Sequence, residues 1–319
     1  MTINKNFVFL TISSLTIGEC VLTLFINKTN ESLRGKASTT FTNSLSGSIG
    51  VLSTISFVIS LYFIVSKFPQ GSTVPCLALS VSVRYFHTVS CLNLVCLALD
   101  RYLAICRPFD YIRLLTKVRC RLLCVVCWVA PCFLILLPCS VELPTLCHKG
   151  GNYLSITFLA AYIVTYTLGA LATCVLYVLV ALEFHKYNCA CPLAMDETQR
   201  LVRWRTAKSA LKVIALYAFF SLPHTIFPLI VRIVDPERDY LPFIVTDVMH
   251  YFNRVHLLLF FPTYAWSNAD YHKALWSFAK TLAGIFTSFF CPTEPKPRKR
   301  KLTTENSSNT GSVELTTQV

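Results

Sequence analysis

Charge is what this 319-residue chain has least of. Asp, Glu, Lys and Arg make up 14% of it, where a soluble globular domain approaches about a quarter. With 54% hydrophobic residues and a mean hydropathy of +0.55, a single water-soluble globule is excluded. Catalytic patterns are also missing: no H-E-x-x-H, Gly-rich phosphate loop or G-x-S-x-G elbow occurs, so neither an enzyme nor a cofactor is expected. No cysteine spacing suits zinc, because Cys189-x-Cys191 is too close. Internal repeats with helix-breaking pairs in matching halves, the mark of many transporters, are absent. Acidic residues number 16 against 29 basic ones, a net charge of +13, yet no stacked or grooved domain is present to make that a nucleic-acid surface.

What the chain has instead is a series of long apolar runs. Residues 37–66, 122–141, 150–182 and 213–231 contain no charged side chain, and each is long enough to cross roughly 30 Å of hydrocarbon as a helix. Windows 7–26, 77–105 and 241–266 are equally apolar apart from Glu19, from Arg84 with Asp100 and Arg101, and from Asp247 with Arg254. Continuous runs rather than ten-residue alternations exclude a barrel. The expected fold is an all-α membrane protein, a bundle of seven transmembrane helices over residues 7–267.

Lys and Arg set the orientation, since cytoplasmic loops carry the positive excess. With the N-terminus outside, inner segments hold 20 of them and outer segments 5, which favours N-out, C-in. Residues 1–6 are then a short extracellular N-terminus. Window 7–26 reads as a retained span rather than a cleaved leader, because no small-x-small site precedes Asn27. The sequons at Asn27 and Asn30 are accordingly expected to be cytoplasmic and unused. Residues 268–290 alternate apolar and basic positions at helical spacing and should form a short interfacial helix. Residues 291–319 form a disordered tail with a palmitoylation candidate at Cys291, a basic run from Lys296 to Lys301 for anionic membrane lipid, and hydroxyls that suit arrestin. Thr317-Gln-Val fits carboxylate capture by a PDZ domain.

The 15 cysteines are an odd number, and most lie inside spans as small apolar packing residues. Cys76, at the outer mouth of the third span, and Cys147, in the second outer loop, both face the oxidising side. A bridge between them closes a loop of about 70 residues, worth on the order of 4 kcal/mol in the chain-entropy picture.

At the inner end of the third span stand Asp100-Arg101-Tyr102 and then Pro108-Phe109, with Trp128 in the fourth span and Cys76 placed 25 positions before Arg101. On these residues the chain resembles the rhodopsin-like G-protein-coupled receptors. The resemblance implies a receptor for a small extracellular ligand that activates a heterotrimeric G protein. Arg101 is then a switch residue that trades its Asp100 carboxylate for contacts to the fifth and sixth spans, with Tyr177 as a candidate partner, while Phe109 inserts into the G protein. A buried arginine costs roughly 2.5–3.5 kcal/mol unless paired, which suits the same role.

Several positions depart from the family pattern. Ser53 falls where the sodium-binding carboxylate is expected, Ser221 replaces the toggle tryptophan before Pro223, and the seventh span reads Phe261-Pro-Thr-Tyr264, with its tyrosine displaced by one. Arg203 occupies the ionic-lock position, so a cation faces a cation and raised basal activity is expected. Val83 and Arg84 stand where amine receptors place an aspartate, and no lysine near Val255 serves retinal. The third-span motif, the basic start of the sixth span and the eroded seventh-span motif are similar to odorant-type receptors. Ligand candidates are the ionisable residues inside the bundle: Arg84 with His87 one turn below it, His224 and Arg254. Arg84 reads equally as a partner of Glu142, and Glu19 and Arg254 are expected to form a structural ion pair. The alternatives to a signalling receptor are a transporter and a receptor-like scaffold.

Overall fold

A computed structural model describes residues 2–34, 36–66, 73–136, 156–190 and 243–290, together with scattered positions between 212 and 230. All regular elements described are helical: α1 (Thr2–Thr29), α2 (Ala37–Ser66), α3 (Thr73–Cys106), α4 (Pro108–Leu114), α5 (Lys117–Pro131, continued by a π turn over Cys132–Leu136), α6 (Ile156–Ala190), α7 (Phe243–Ser267) and α8 (Ala269–Phe290). Lys212, Leu216, Phe219, Phe220, Pro223, Ile226, Phe227 and Ile230 are helical as well. The chain divides into two compact units, Met1–Phe278 and Ala279–Val319. Of the second, residues 279–290 are described, as the last part of α8.

Among the described residues, five helices are long and apolar enough to cross a membrane, within α1, α2, α3, α5 and α6. α2 coincides with its charge-free window. Elsewhere helices run past their windows: α5 begins at Lys117 and includes Arg119 and Arg121, and α6 continues through Glu183 and Lys186. Charged side chains near a span end lift their heads toward water while their stems stay on the helix, so charge marks the membrane boundary rather than the helix end. Helix also takes in residues 2–6 and 108–114, segments that composition assigns to an outer terminus and an inner loop. Proline at the first position of α4 fits, since its missing N–H would be unsatisfied there in any case. Thr116 caps α5, its side chain accepting from the Arg119 N–H at 3.5 Å. α7 continues through Pro262 without interruption.

Within the first unit α3 is the central span, with 61% of its apolar window buried against 22% for α5. α2 packs between α1 and α3, α6 lies against α3, and α7 against α1. Hydrogen bonds between polar side chains fix the register of these neighbours, as they must where lipid offers no partner. Asn27 donates to Asn43 Oδ1 at 2.7 Å, Ser48 and Ser90 share a hydrogen bond at 2.9 Å, and Trp128 Nε1 donates to Ser44 Oγ at 2.9 Å. Asn27 is thereby 4% exposed, and Asn30 Oδ1 accepts from Ser32 N–H and Oγ in the α1–α2 turn. Close approach of α3 and α6 requires glycine: a Cβ on Gly169 would lie 2.5 Å from Cys91 Sγ. Phe219 and Phe220 pack with tilted rings against Phe252 of α7.

Candidate functional site

The C-terminal end of α3 buries a carboxylate. Asp100 is 1% exposed, which is tolerable only with donors at hand. Its Oδ2 lies 3.7 Å from Arg101 Nε, and its Oδ1 accepts from the Tyr111 hydroxyl of α4 at 3.2 Å. Burial first, then the neighbouring Asp100 carboxylate, push the Tyr111 hydroxyl up to about 12, so it remains a donor throughout the physiological range. Tyr177 of α6 and Tyr264 of α7 are both buried. Tyr102 is half-buried.

Tyr264 is the seventh-span tyrosine that the sequence displaces by one, yet it points into the bundle. Its ring stacks on Phe260 at 6.4 Å, and its oxygen accepts from Thr42 Oγ1 at 3.1 Å and Asn268 Nδ2 at 3.0 Å. The other end of Asn268 caps α8, its Oδ1 accepting from the N–H groups of Asp270 and Tyr271 at 3.2 and 3.3 Å. Tyr271 in turn bonds Thr23 of α1 at 2.8 Å, and Lys36 pairs with Asp270 at 2.6 Å. Pro108 opens α4 and aims Phe109, 91% exposed, and Ile112, 79% exposed, away from the bundle. The two are three residues apart and share one face of the helix.

Deeper in the bundle, Arg84 and His87 meet on one tyrosine of α6. The Arg84 guanidinium sits over the Tyr162 ring at 5.8 Å, and His87 Nδ1 is 3.3 Å from the Tyr162 hydroxyl. Tyr166, one turn further, adjoins both Tyr162 and His87. Below them His87, Ser90, Tyr166, His256 and Phe260 line a small cavity with Leu45 and Ile49 of α2, whose space is on the order of one water molecule. Ser53, expected at the sodium position, is buried but does not line it.

One expectation fails. Glu19 and Arg254 form no ion pair: the Arg254 guanidinium lies over the Phe9 ring at 5.9 Å, and Phe9 also packs on Tyr251 at 4.7 Å. Phe9 precedes Glu19 by ten residues, about 15 Å of helix, so the two helices are neighbours with the wrong offset for this pair. Glu19 Oε2 is left buried without a hydrogen bond. Arg203, His224, Glu142, Cys147, Cys291 and Thr317 to Val319 lie outside the described residues, as does the side chain of Cys76. Tyr111, Tyr162, Tyr166, Tyr264 and Asn268 are the site residues that the sequence reading did not single out for these roles. Tyr162 and Tyr166 carry one signal, hydroxyls at i, i+4 in an otherwise apolar stretch, whereas Tyr111 and Asn268 stand among charged and polar neighbours that mask them.

This arrangement holds a buried carboxylate with one cation and one hydroxyl donor. Residues 19–259, three quarters of the chain, match the family model described as "7 transmembrane receptor (rhodopsin family)". The chain belongs to that family. It is therefore a multi-pass membrane receptor of a non-enzymatic class. The receptor is 40% identical over 57 residues to "Octopamine receptor beta-1R" of Drosophila melanogaster, covering 18% of this chain and 11% of that protein. It is 34% identical over 104 residues to "Olfactory receptor 1B1" of Homo sapiens, covering 32% of each. The chain thus aligns with a third or less of the length of these relatives.

Proposed function

We propose that the receptor binds a small extracellular molecule of the odorant kind and activates a heterotrimeric G protein at the inner face of the plasma membrane, with its N-terminus outside and C-terminus inside. The observation that carries this reading is the buried Asp100 held by Arg101 and Tyr111 directly above the exposed Phe109 and Ile112 of α4. Releasing Arg101 from Asp100 frees a cation for Tyr177, Tyr264 and a docking protein, while Phe109 and Ile112 offer that protein an apolar foothold. Ligand recognition falls to the Arg84, Tyr162 and His87 cluster, with His224 and Arg254 as further contacts. Arg84 suits a ligand bearing a hydrogen-bond acceptor or an anion. The odorant class rests on the partial similarity to the human olfactory receptor.

Around this core, a Cys76–Cys147 bridge pins the second outer loop, palmitate on Cys291 and the basic run at Lys296–Lys301 anchor the tail to anionic lipid, and Thr317 to Val319 offer a PDZ ligand beside arrestin-recruiting hydroxyls. The test is Arg101→Ala in cells at matched surface expression, read by G-protein activation. Loss of agonist-stimulated activation with retained ligand binding supports the reading. Unchanged activation in the variant overturns the role given to Arg101, and a parent protein that activates no G protein at all favours a scaffold role.

A further inference from the structure

Most described cysteines explain themselves as packing. Cys91 fits against Gly169 and Cys20 against Gly50, and Cys124 points at the Thr40 carbonyl. Cys96 and Cys127 differ, because each meets the other: their sulfurs are 3.6 Å apart across the α3–α5 seam, in S–H···S contact. Both are free thiols. A disulfide needs the sulfurs about 2.05 Å apart, so closure brings them roughly 1.5 Å nearer.

We infer that Cys96 and Cys127 form an oxidisable dithiol, a modification site whose co-reactant is a membrane-permeant organic hydroperoxide. Buried cysteines in apolar surroundings are ordinarily inert. This pair has two features that oppose inertness: Cys96 is only half-buried, which gives a lipid-borne reagent a way in, and Cys127, 3% exposed, is already in place as the resolving thiol. The Cys96 sulfur attacks the terminal peroxide oxygen and the O–O bond breaks. The alkoxide takes the thiol proton and leaves as an alcohol, so Cys96 becomes a sulfenic acid. The Cys127 sulfur then attacks the sulfenic sulfur, forming the S–S bond. Hydroxide departs with the second thiol proton as water. The dithiol is oxidised by two electrons and the peroxide is reduced by two.

The location gives the bond a consequence. Cys96 is four residues, one turn, before Asp100. Cys127 precedes Trp128, whose indole holds Ser44 of α2 and whose carbonyl accepts from Tyr85 of α3 at 2.7 Å. Oxidation therefore bolts the third span to a helix already tied to the second, just above the switch.

The full-length receptor in lipid–detergent micelles is treated with tert-butyl hydroperoxide, its remaining thiols are blocked with maleimide, and the digest is mapped by mass spectrometry. A peptide pair linked through Cys96 and Cys127, lighter by two hydrogens and separated by dithiothreitol, supports the inference. On untreated receptor, phenylarsine oxide, which bridges paired thiols, should protect Cys96 and Cys127 from maleimide together, and should protect neither the remaining thiol of Cys96→Ser nor that of Cys127→Ser. Oxidation of Cys96 to sulfinic acid without linkage, or linkage to Cys120 or Cys124 instead, overturns it. The mapping on the unmodified sequence stands even if a variant fails to fold.

Discussion

Asp100 is a buried carboxylate held by one hydrogen-bond donor from α4 and one cation of α3, so removing either one has a definite cost. Tyr111→Phe leaves Asp100 Oδ1 buried without its partner, and hydrogen bonds to charged groups are worth about 1.5–3 kcal/mol. A lower melting midpoint of the purified receptor by that equivalent is expected, and an unchanged midpoint refutes the contact. Because the folded-state hydroxyl is raised to about 12, above the ordinary tyrosine value of about 10, its contribution is full below the lower figure and lost only as pH climbs through the upper one. The gap between parent and variant should stay constant from about pH 6 to pH 9. Glu19 and Arg254 provide the opposite case. With about 15 Å of helix between their levels, a double-mutant cycle on Glu19→Gln and Arg254→Gln should give a coupling energy under about 0.5 kcal/mol, the additivity expected of separated sites.

Between elements, the seam of α3 and α6 depends on one missing side chain. Gly169→Ala puts a methyl 2.5 Å from Cys91 Sγ, and overpacking of this kind costs typically about 1–3 kcal/mol. Thermal denaturation should register the loss, and adding Cys91→Ala should restore most of it by vacating the overlapped volume. No recovery in the double variant would mean that the clash lies elsewhere. At this scale apolar runs were a good guide to which segments are helices and a poor guide to where they end. α2 sits within its charge-free window, whereas α5 and α6 run on through lysines, arginines and a glutamate that composition places in loops. Hydropathy measures contact with lipid, and helical hydrogen bonding does not stop at the hydrocarbon edge.

For the molecule as a whole, family membership was legible from the series of apolar runs together with Asp100-Arg101-Tyr102, Pro108-Phe109, Trp128 and Cys76. The rotation and axial offset of one span against the next were not. Period and hydropathy say that two helices cross the membrane but not which of their residues share a level, which is why the expected Glu19–Arg254 pair fails and a tyrosine displaced by one, Tyr264, is still buried. A tyrosine one place out of the usual pattern still reaches the bundle interior because its ring can lie along Phe260. Arg203 is a matter for the whole receptor, since it bears on the balance between resting and signalling forms. If a cation there weakens the resting form, Arg203→Glu should lower ligand-free G-protein signalling at equal surface expression, and equal basal rates would count against it.

Asn268 joins two such levels with a single carboxamide, its nitrogen side serving Tyr264 and its oxygen side serving the start of α8. Hydrolysis of that amide to a carboxylate, a common form of protein ageing, would leave only acceptors. The helix start would keep its cap, and Tyr264 would lose a donor. A single spontaneous chemical change would thus reverse a hydrogen bond where the seventh span meets the helix after it, the Tyr264 hydroxyl turning from acceptor to donor.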